Sequence, residues 1–117
     1  MHVNARLRQG EELLEELGCV LDPEAFKVLA EPMRIEILKF LLMRGRSDIA
    51  TIAEAFPLDR SVISRHLGKM EEHDFLVGEK VGRNRFYRVD LDCFIESFEK
   101  SAAIFRRIRE RLQTRES

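Results

Sequence analysis

Apolar residues recur along most of the chain with the three-to-four-residue spacing of amphipathic helices. The spacing predicts a first helix over residues 4–17, closed by Gly18, with an acidic outer face. A short second helix begins at Pro23 and directs Phe26 inward, since proline suits the first helical position. A third helix over residues 32–44 has almost no polar side. The pattern therefore places this third helix in the middle of the core.

The next two helices are short and lie close together in the sequence. The first is capped by Ser47 or Asp48 and ends at Pro57. The second covers residues 60–73 and is capped by Asp59. Its inward positions follow the spacing i, i+4, i+7 and are Ile63, Leu67 and Met70.

The hydrophobic period changes after this helix, because residues 75–89 are two aromatic and β-branched runs separated by a turn. They predict a two-stranded β-hairpin with a basic tip. A last helix over residues 91–113 follows, capped by Asp90 or Asp92, and its long apolar stripe needs a cover. The stripe consists of Leu91, Ile95, Phe98, Ala102, Phe105 and Leu112. The fold class is mainly α with a hairpin (α+β), and helix–turn–helix–hairpin is the order of a winged helix-turn-helix.

The length of 117 residues fits one domain over residues 1–117. Apolar residues make up 44% and charged residues 35%, so the chain can bury a core and keep a polar surface. Charges interrupt every apolar run, which predicts no membrane span. The first residues lack the apolar stretch of a secretory signal, and we expect a cytoplasmic protein.

The net charge of −1 alone gives no reason to expect a nucleic-acid partner, but the charges are segregated. Residues 10–31 hold seven acidic side chains and one lysine, whereas residues 60–88 hold seven basic and four acidic ones. The segment 106–117 is also basic. Solvated helix faces explain this distribution as well as a basic binding surface does.

The geometry of a helix-turn-helix favours a basic binding surface over solvated helix faces, because the second helix of this motif enters the DNA major groove. With the inward positions taken by apolar residues, helix 60–73 presents side chains that suit base edges and phosphates. They are Arg60, Ser61, Val62, Ser64, Arg65 and Lys69. The hairpin tip would lie where a wing reaches phosphates or the minor groove, through Arg83, Asn84 and Arg85. The sequence therefore predicts double-stranded operator DNA as a partner.

Three segments resemble the ArsR/SmtB (arsenic-repressor) family of winged-helix transcription regulators. Residues 26–38 are similar to the family's "LADPTRLRIL" opening, with Glu31 for Asp and Met33 for Thr. Residues 58–67 are similar to its "LSQSTVSRHL" recognition helix, and residues 82–89 to its wing. The resemblance implies a homodimeric repressor that an effector releases from its operator. Its subunits would meet through the first and last helices, which supplies the missing cover.

The resemblance also locates the family's metal ligands, and this sequence departs from them. Asp48 and Ala50 occupy the positions of the two cysteines of the family's "ELCVCDL" pattern, and the last helix has no histidine. Thiolates and imidazoles are the ligands that hold Zn²⁺ and similar ions. We therefore expect no metal site and no cofactor. His66 matches the family's recognition-helix histidine, and it packs or touches phosphate in preference to binding a metal.

The two cysteines, Cys19 and Cys93, are too few and too far apart in sequence for a disulfide framework. They lie at the end of the first helix and the start of the last, which the family brings together at its dimer interface. They are candidate effector thiols, for oxidation, persulfide formation or arsenite. The alternative is that both are small buried hydrophobic residues.

Two other classes of function remain to be compared with a DNA-binding regulator. A winged-helix module can also bind protein through its hairpin and last helix, or regulate without a small-molecule effector. The basic residues on the predicted recognition face favour DNA. The sequence has no phosphate loop, nucleophile elbow or catalytic metal motif, so we expect no enzyme activity.

Overall fold

The computed structural model describes the backbone of residues 2–116 and the side chains of residues 5–115; the first and last residues of the predicted domain lie outside it. In the described part, six helices and three strands follow one another. They are α1 (His2–Val20), α2 (Pro23–Ala30), α3 (Pro32–Arg44), β1 (Ser47–Asp48), α4 (Ile49–Glu54), α5 (Arg60–Glu72), β2 (Leu76–Val81), β3 (Asn84–Val89) and α6 (Leu91–Glu116).

The chain divides into two compact units. One unit is Glu24–Phe94 and holds α2 to β3 with the first residues of α6. The other is formed by the described parts of Met1–Pro23 and Ile95–Ser117, so it pairs α1 with most of α6. We call them the winged unit and the helical pair.

The core of the winged unit is formed by α3, α4, α5 and the sheet. Its fully enclosed side chains are Ile37, Leu41, Ile52, Ile63, Leu67 and Met70. Tyr87 and Val89 on β3 and Leu76 on β2 close this core from the sheet side. Helix-turn-helix and hairpin thus share one core, which confirms the predicted winged helix-turn-helix.

The sheet has three strands in the order β1-β3-β2, all antiparallel, where the sequence predicted two. Ser47 pairs with Tyr87 and Asp48 with Phe86, while β2 and β3 pair along their whole length. A two-residue strand is too short to show the alternation that identifies strands in a sequence. The third strand was missed for that reason.

The predicted helix boundaries are largely correct, with one clear error at the end of α1. Gly18 does not close this helix, which continues to Val20, and the amide of Leu21 still donates to the carbonyl of Leu17 at 2.8 Å. Glycine ends helices when its backbone turns left-handed, and that geometry occurs at Gly45, which follows α3 with φ 79°. Gly18 is not among the glycines with positive φ.

Three predicted cap positions can be compared with the structure. Asp48 caps α4, because its carboxylate accepts a hydrogen bond from the amide of Thr51 at 2.9 Å. Asp90 is the cap of α6, since its carboxylate accepts from the amide of Cys93 at 3.1 Å. Asp59 stands at the N-cap of α5 but makes no side-chain hydrogen bond there.

The prediction that α2 directs Phe26 inward and that α3 is buried on nearly all sides is wrong. Phe26 is 52% exposed, and Val28 takes the inward position of α2. On α3, Leu41 is buried, but Met43 is 88% exposed. Because consecutive helical residues are rotated by about 100°, Met43 points away from the face that carries Leu41. The apolar character of α3 therefore exceeds what the core of the winged unit covers.

Candidate nucleic-acid interface

Helix α5 is attached to the core by three side chains with no exposed surface, Ile63, Leu67 and Met70. Their spacing of four and three residues places them on one helix face. The opposite face must then carry the intervening residues. Full burial of three large side chains gives this helix a fixed rotation about its own axis.

The outward face of α5 carries most of the residues predicted to contact DNA. Five of the predicted contacts are exposed: Arg60, Ser61, Ser64, Arg65 and Lys69. The Lys69 ammonium lies 3.9 Å from the Glu72 carboxylate, an exposed pair within the helix. Val62 is only half-buried, so part of its side chain remains accessible beside this face.

His66 lies at the edge of the exposed face, with only 14% of its side chain exposed. Its Nδ1 accepts a hydrogen bond from Arg34 Nε at 3.1 Å, and Arg34 also donates to the carbonyl of Val28 at 3.2 Å. Burial lowers the pKa of His66, and the charges of Arg34 and Arg65 lower it further, against the opposing charge of Glu31. Through the hydrogen bond from Arg34, His66 ties α5 to the start of α3. Its contact with phosphate stays a prediction.

The predicted wing is the hairpin of β2 and β3, and its turn is Gly82-Arg83 with Gly82 at φ 63°. Arg83 and Asn84 are exposed at the tip. The side chains of alternate residues lie on opposite faces of the sheet. Arg85, Tyr87 and Val89 are alternate residues of β3, so all three lie on the face that is turned toward the core. Arg85 is the one nearest the tip.

Arg85 is the one predicted wing contact that the structure places in an internal ion pair. Its Nη2 donates to Glu71 Oε2 at 2.6 Å, and its Nε donates to Tyr87 Oη at 3.1 Å. These two hydrogen bonds raise the pKa of the guanidinium, that of Tyr87 first. The wing tip and the last turn of α5 are therefore joined through Arg85.

Two further residues beside the wing, Glu71 and Arg46, are not recognisable as part of the site from the sequence. Glu71 gave no signal, because its partner follows fourteen positions later and only the fold brings them together. Arg46 lies on the opposite face of the sheet, with its guanidinium carbon 4.3 Å from the centre of the Phe86 ring and its Nη2 3.5 Å from Glu79 Oε2. A lone arginine before a two-residue strand carries no recognisable pattern.

The candidate effector thiols lie in different units. Cys19 is exposed near the end of α1, in the helical pair. Cys93 is half-buried in the first turn of α6, in the winged unit. The alternative that both are buried hydrophobic residues does not describe Cys19, whose thiol is accessible to solvent.

Asp48, one of the two positions that the resemblance aligns with the family's cysteine ligands, caps a helix in this structure. The carboxylate of Asp48 is the cap of α4, and the hydrogen bonds from Thr51 lower its pKa. Among the described residues, no group of three or more His, Cys, Asp or Glu side chains is arranged to hold a metal ion. In the same part of the chain, no helix is both long and apolar enough to cross a membrane.

No protein-family profile and no curated protein matches the sequence, whereas many solved structures match the fold. A possible transcriptional regulator for arsenical resistance is 30% identical, over 73% of this chain and 83% of that one, with a TM-score of 0.57. The chain belongs to the ArsR/SmtB family of winged-helix transcription regulators.

Two other structures of the ArsR/SmtB fold are similar at lower identity. The ArsR-like transcriptional regulator from Rhodococcus sp. RHA1 is 26% identical over 87% of both chains, with a TM-score of 0.59. The transcriptional repressor PagR of Bacillus anthracis is 28% identical over 66% of this chain and 82% of its own, with a TM-score of 0.53. The similarity to these ArsR-type proteins extends beyond the helix-turn-helix.

Proposed function

We propose that this ArsR-family chain, residues 1–117, is a repressor that binds operator DNA as a homodimer and is released by a chemical signal. The proposal that the partner is DNA rests on the outward face of α5. There, three arginine or lysine side chains and two serines are exposed opposite three fully buried side chains. Arginine pairs with guanine, and serine bonds to bases or phosphates. A rigidly held face of this kind suits the major groove.

The helical pair supports the homodimer. Ile104 of α6 and Leu13 of α1 are buried within the pair, but other large apolar residues of the same helices remain largely exposed. They are Leu7, Leu14, Ile95, Phe105 and Leu112. Several exposed large apolar side chains on two paired helices of a small protein are typical of a contact with another molecule. In a homodimer that binds two half-sites, the two recognition helices must lie about one DNA turn apart.

The DNA function is tested by selection of duplexes from a randomised library with the purified chain, followed by binding titrations at 50 and 200 mM salt. We expect two inverted half-sites centred about 10–10.5 base pairs apart. The selected duplex should bind at least about 10³-fold more tightly than a scrambled duplex. A folded chain that enriches no sequence, and binds no duplex above background, would favour the alternative winged-helix module that contacts protein.

We propose further that the signal acts on the thiols of Cys19 and Cys93. The support is that Cys19 is exposed, that Asp48 is committed to a helix cap, and that both cysteines lie on the helices expected at the dimer interface. A two-electron oxidant would convert the two thiols to a disulfide. A polysulfide would transfer one sulfur atom to a thiolate, which forms a persulfide and releases a shorter polysulfide. Arsenite would exchange two of its hydroxyl groups for the sulfur atoms of the two thiols, with release of two water molecules. Any of these would alter the packing of the end helices.

The thiol proposal predicts that a Cys19→Ser/Cys93→Ser variant binds operator like the parent but no longer dissociates on treatment. The measurement is fluorescence anisotropy of labelled operator during titration with oxidant, polysulfide and arsenite. The two single variants serve as controls and show which thiol is required. Dissociation of the double variant at the parent's reagent concentrations would show that the signal enters elsewhere.

A further inference from the structure

Besides their shared core, the inner face of the wing and the last turn of α5 are joined by an ion pair. There Arg85 Nη2 lies 2.6 Å from Glu71 Oε2, and the side chains are 40% and 31% exposed. Arg85 is held from a second side by Tyr87, whose hydroxyl accepts from its Nε and whose side chain is buried in the core. The guanidinium is therefore fixed between a core residue and the recognition helix.

Gly78 provides the space for this ion pair. It stands on β2 directly opposite Tyr87, so it lies on the same inner face. A Cβ added at residue 78 would lie 2.7 Å from Arg85 Nη2 and 2.7 Å from Glu71 Oε2. Real Cβ atoms do not approach other atoms so closely, so a larger residue at this position must shift the ends of the Arg85 and Glu71 side chains from the places they hold. An isolated glycine within a strand often marks such a close approach.

We propose that Glu71, Gly78 and Arg85 form a clasp that fixes the angle of the wing against the recognition helix. These residues act as positioning residues: Arg85 anchors the wing internally, and the exposed Arg83 makes the wing's phosphate contact. This inference rests on the proposed DNA function, and it assigns to Arg85 a role different from the direct contact predicted from the sequence. Two strands joined by a two-residue turn are flexible when isolated. A tie to α5 limits where the tip can lie when the helix occupies the major groove.

The test measures how much Arg83 contributes to DNA affinity when the clasp is intact and when it is broken. In the parent, Arg83→Ala should weaken DNA binding and reduce the salt slope by about one for each bound subunit, because each subunit loses one phosphate contact. In a Glu71→Gln or Gly78→Ala background, the same change should alter the affinity less than about twofold. Glu71→Gln removes the charge and keeps the shape, whereas Gly78→Ala keeps the charges and fills the space.

Matched controls separate positioning from charge and from loss of fold. Glu72→Gln removes one negative charge from the same turn of α5, and there Arg83→Ala should keep its full effect. Gly18→Ala is the control for a glycine-to-alanine change away from the wing, because apart from the adjacent residues and the nearby helix backbone no atom would lie within 4 Å of the added methyl group. The exchange Glu71→Arg/Arg85→Glu restores an ion pair of opposite polarity and should recover part of the Arg83 contribution. Thermal unfolding of every variant reports whether it is folded.

Two results would overturn the clasp. One is an Arg83→Ala effect of equal size in the parent and in both broken-clasp backgrounds. The other is additivity of Glu71→Gln and Arg85→Ala, which would mean that Arg85 contacts DNA independently of Glu71. If the parent binds no DNA, the proposed function fails, and hydrogen exchange decides on the clasp alone. Hairpin amides between residues 80 and 85 should exchange faster in Glu71→Gln than in Glu72→Gln, and equal rates would refute it.

Discussion

Replacement of Phe105 by glutamate is expected to convert the proposed homodimer to monomers at micromolar concentration and to weaken operator binding by at least about 100-fold. Phe105 is 49% exposed on α6, whereas its neighbour Ile104, 2% exposed, belongs to the interior of the helical pair. Full burial of an exposed phenylalanine side chain contributes about 1.5–3 kcal/mol, so burial of the exposed half of Phe105 contributes about 1 kcal/mol from each of two subunits. A carboxylate at the same place adds the cost of desolvating a charge.

Sedimentation of the parent and the variant, with titration against one-site and two-site duplexes, measures this effect. Arg106→Glu is the matched control, because it changes the charge of the adjacent exposed position and should leave the association intact. The variant should retain its affinity for a single half-site, since α5 is untouched. A parent that sediments as a monomer at micromolar concentration would remove the homodimer and the two-half-site operator with it.

Replacement of Arg65 by alanine is expected to lower the affinity for each half-site of the selected operator by about 5- to 150-fold and to relax the base preference at one position there. A bidentate arginine–guanine pair is worth about 1–3 kcal/mol of discrimination. Arg65 is exposed on α5, between the buried anchors Ile63 and Leu67, so its removal should not disturb the core. Arg60→Ala is expected to act in the same direction from the first turn of α5.

Repeated library selection with the Arg65 variant, with salt-dependent titrations on selected and scrambled duplexes, distinguishes base readout from phosphate contact. Arg83→Ala is the contrasting variant, because a phosphate contact weakens both duplexes about equally. Arg109→Ala, an exposed arginine of α6, controls for the loss of one positive charge. An Arg65 variant that loses affinity equally on both duplexes would place this side chain on phosphate and not on a base.

Much of the fold and of the candidate interface follows from local patterns. The spacing of Ile63, Leu67 and Met70 alone identifies the buried face of α5, because three apolar residues at helical spacing admit one orientation. The capping residues Asp48 and Asp90 mark the starts of α4 and α6 in the sequence, because a cap bonds to an amide of the first helical turn. These features depend on residues within one helical turn of each other.

Features that depend on distant segments could not be predicted in this way. In the sequence, Arg83 and Arg85 are both arginines at the tip of the predicted hairpin and look equivalent. Only the approach of α5 to the sheet gives them different surroundings. Strand β1 exists because β3 offers free hydrogen-bonding groups, not because two residues prefer to be extended. The exposure of Phe26 likewise depends on which neighbours reach it and not on its own apolarity.

The short pairing between β1 and β3 has a consequence for the order of folding. The hairpin of β2 and β3 forms between neighbouring segments, whereas the bridge from Ser47 to Tyr87 closes a loop that contains all of α4 and α5. Closure of such a loop costs more chain entropy than a hairpin turn, so the bridge forms later. Once the bridge is closed, separation of β1 from β3 also loosens the N-cap of α4, because the capping residue Asp48 belongs to β1. Helix-turn-helix and wing then protect their amides from solvent together, as one cooperative unit.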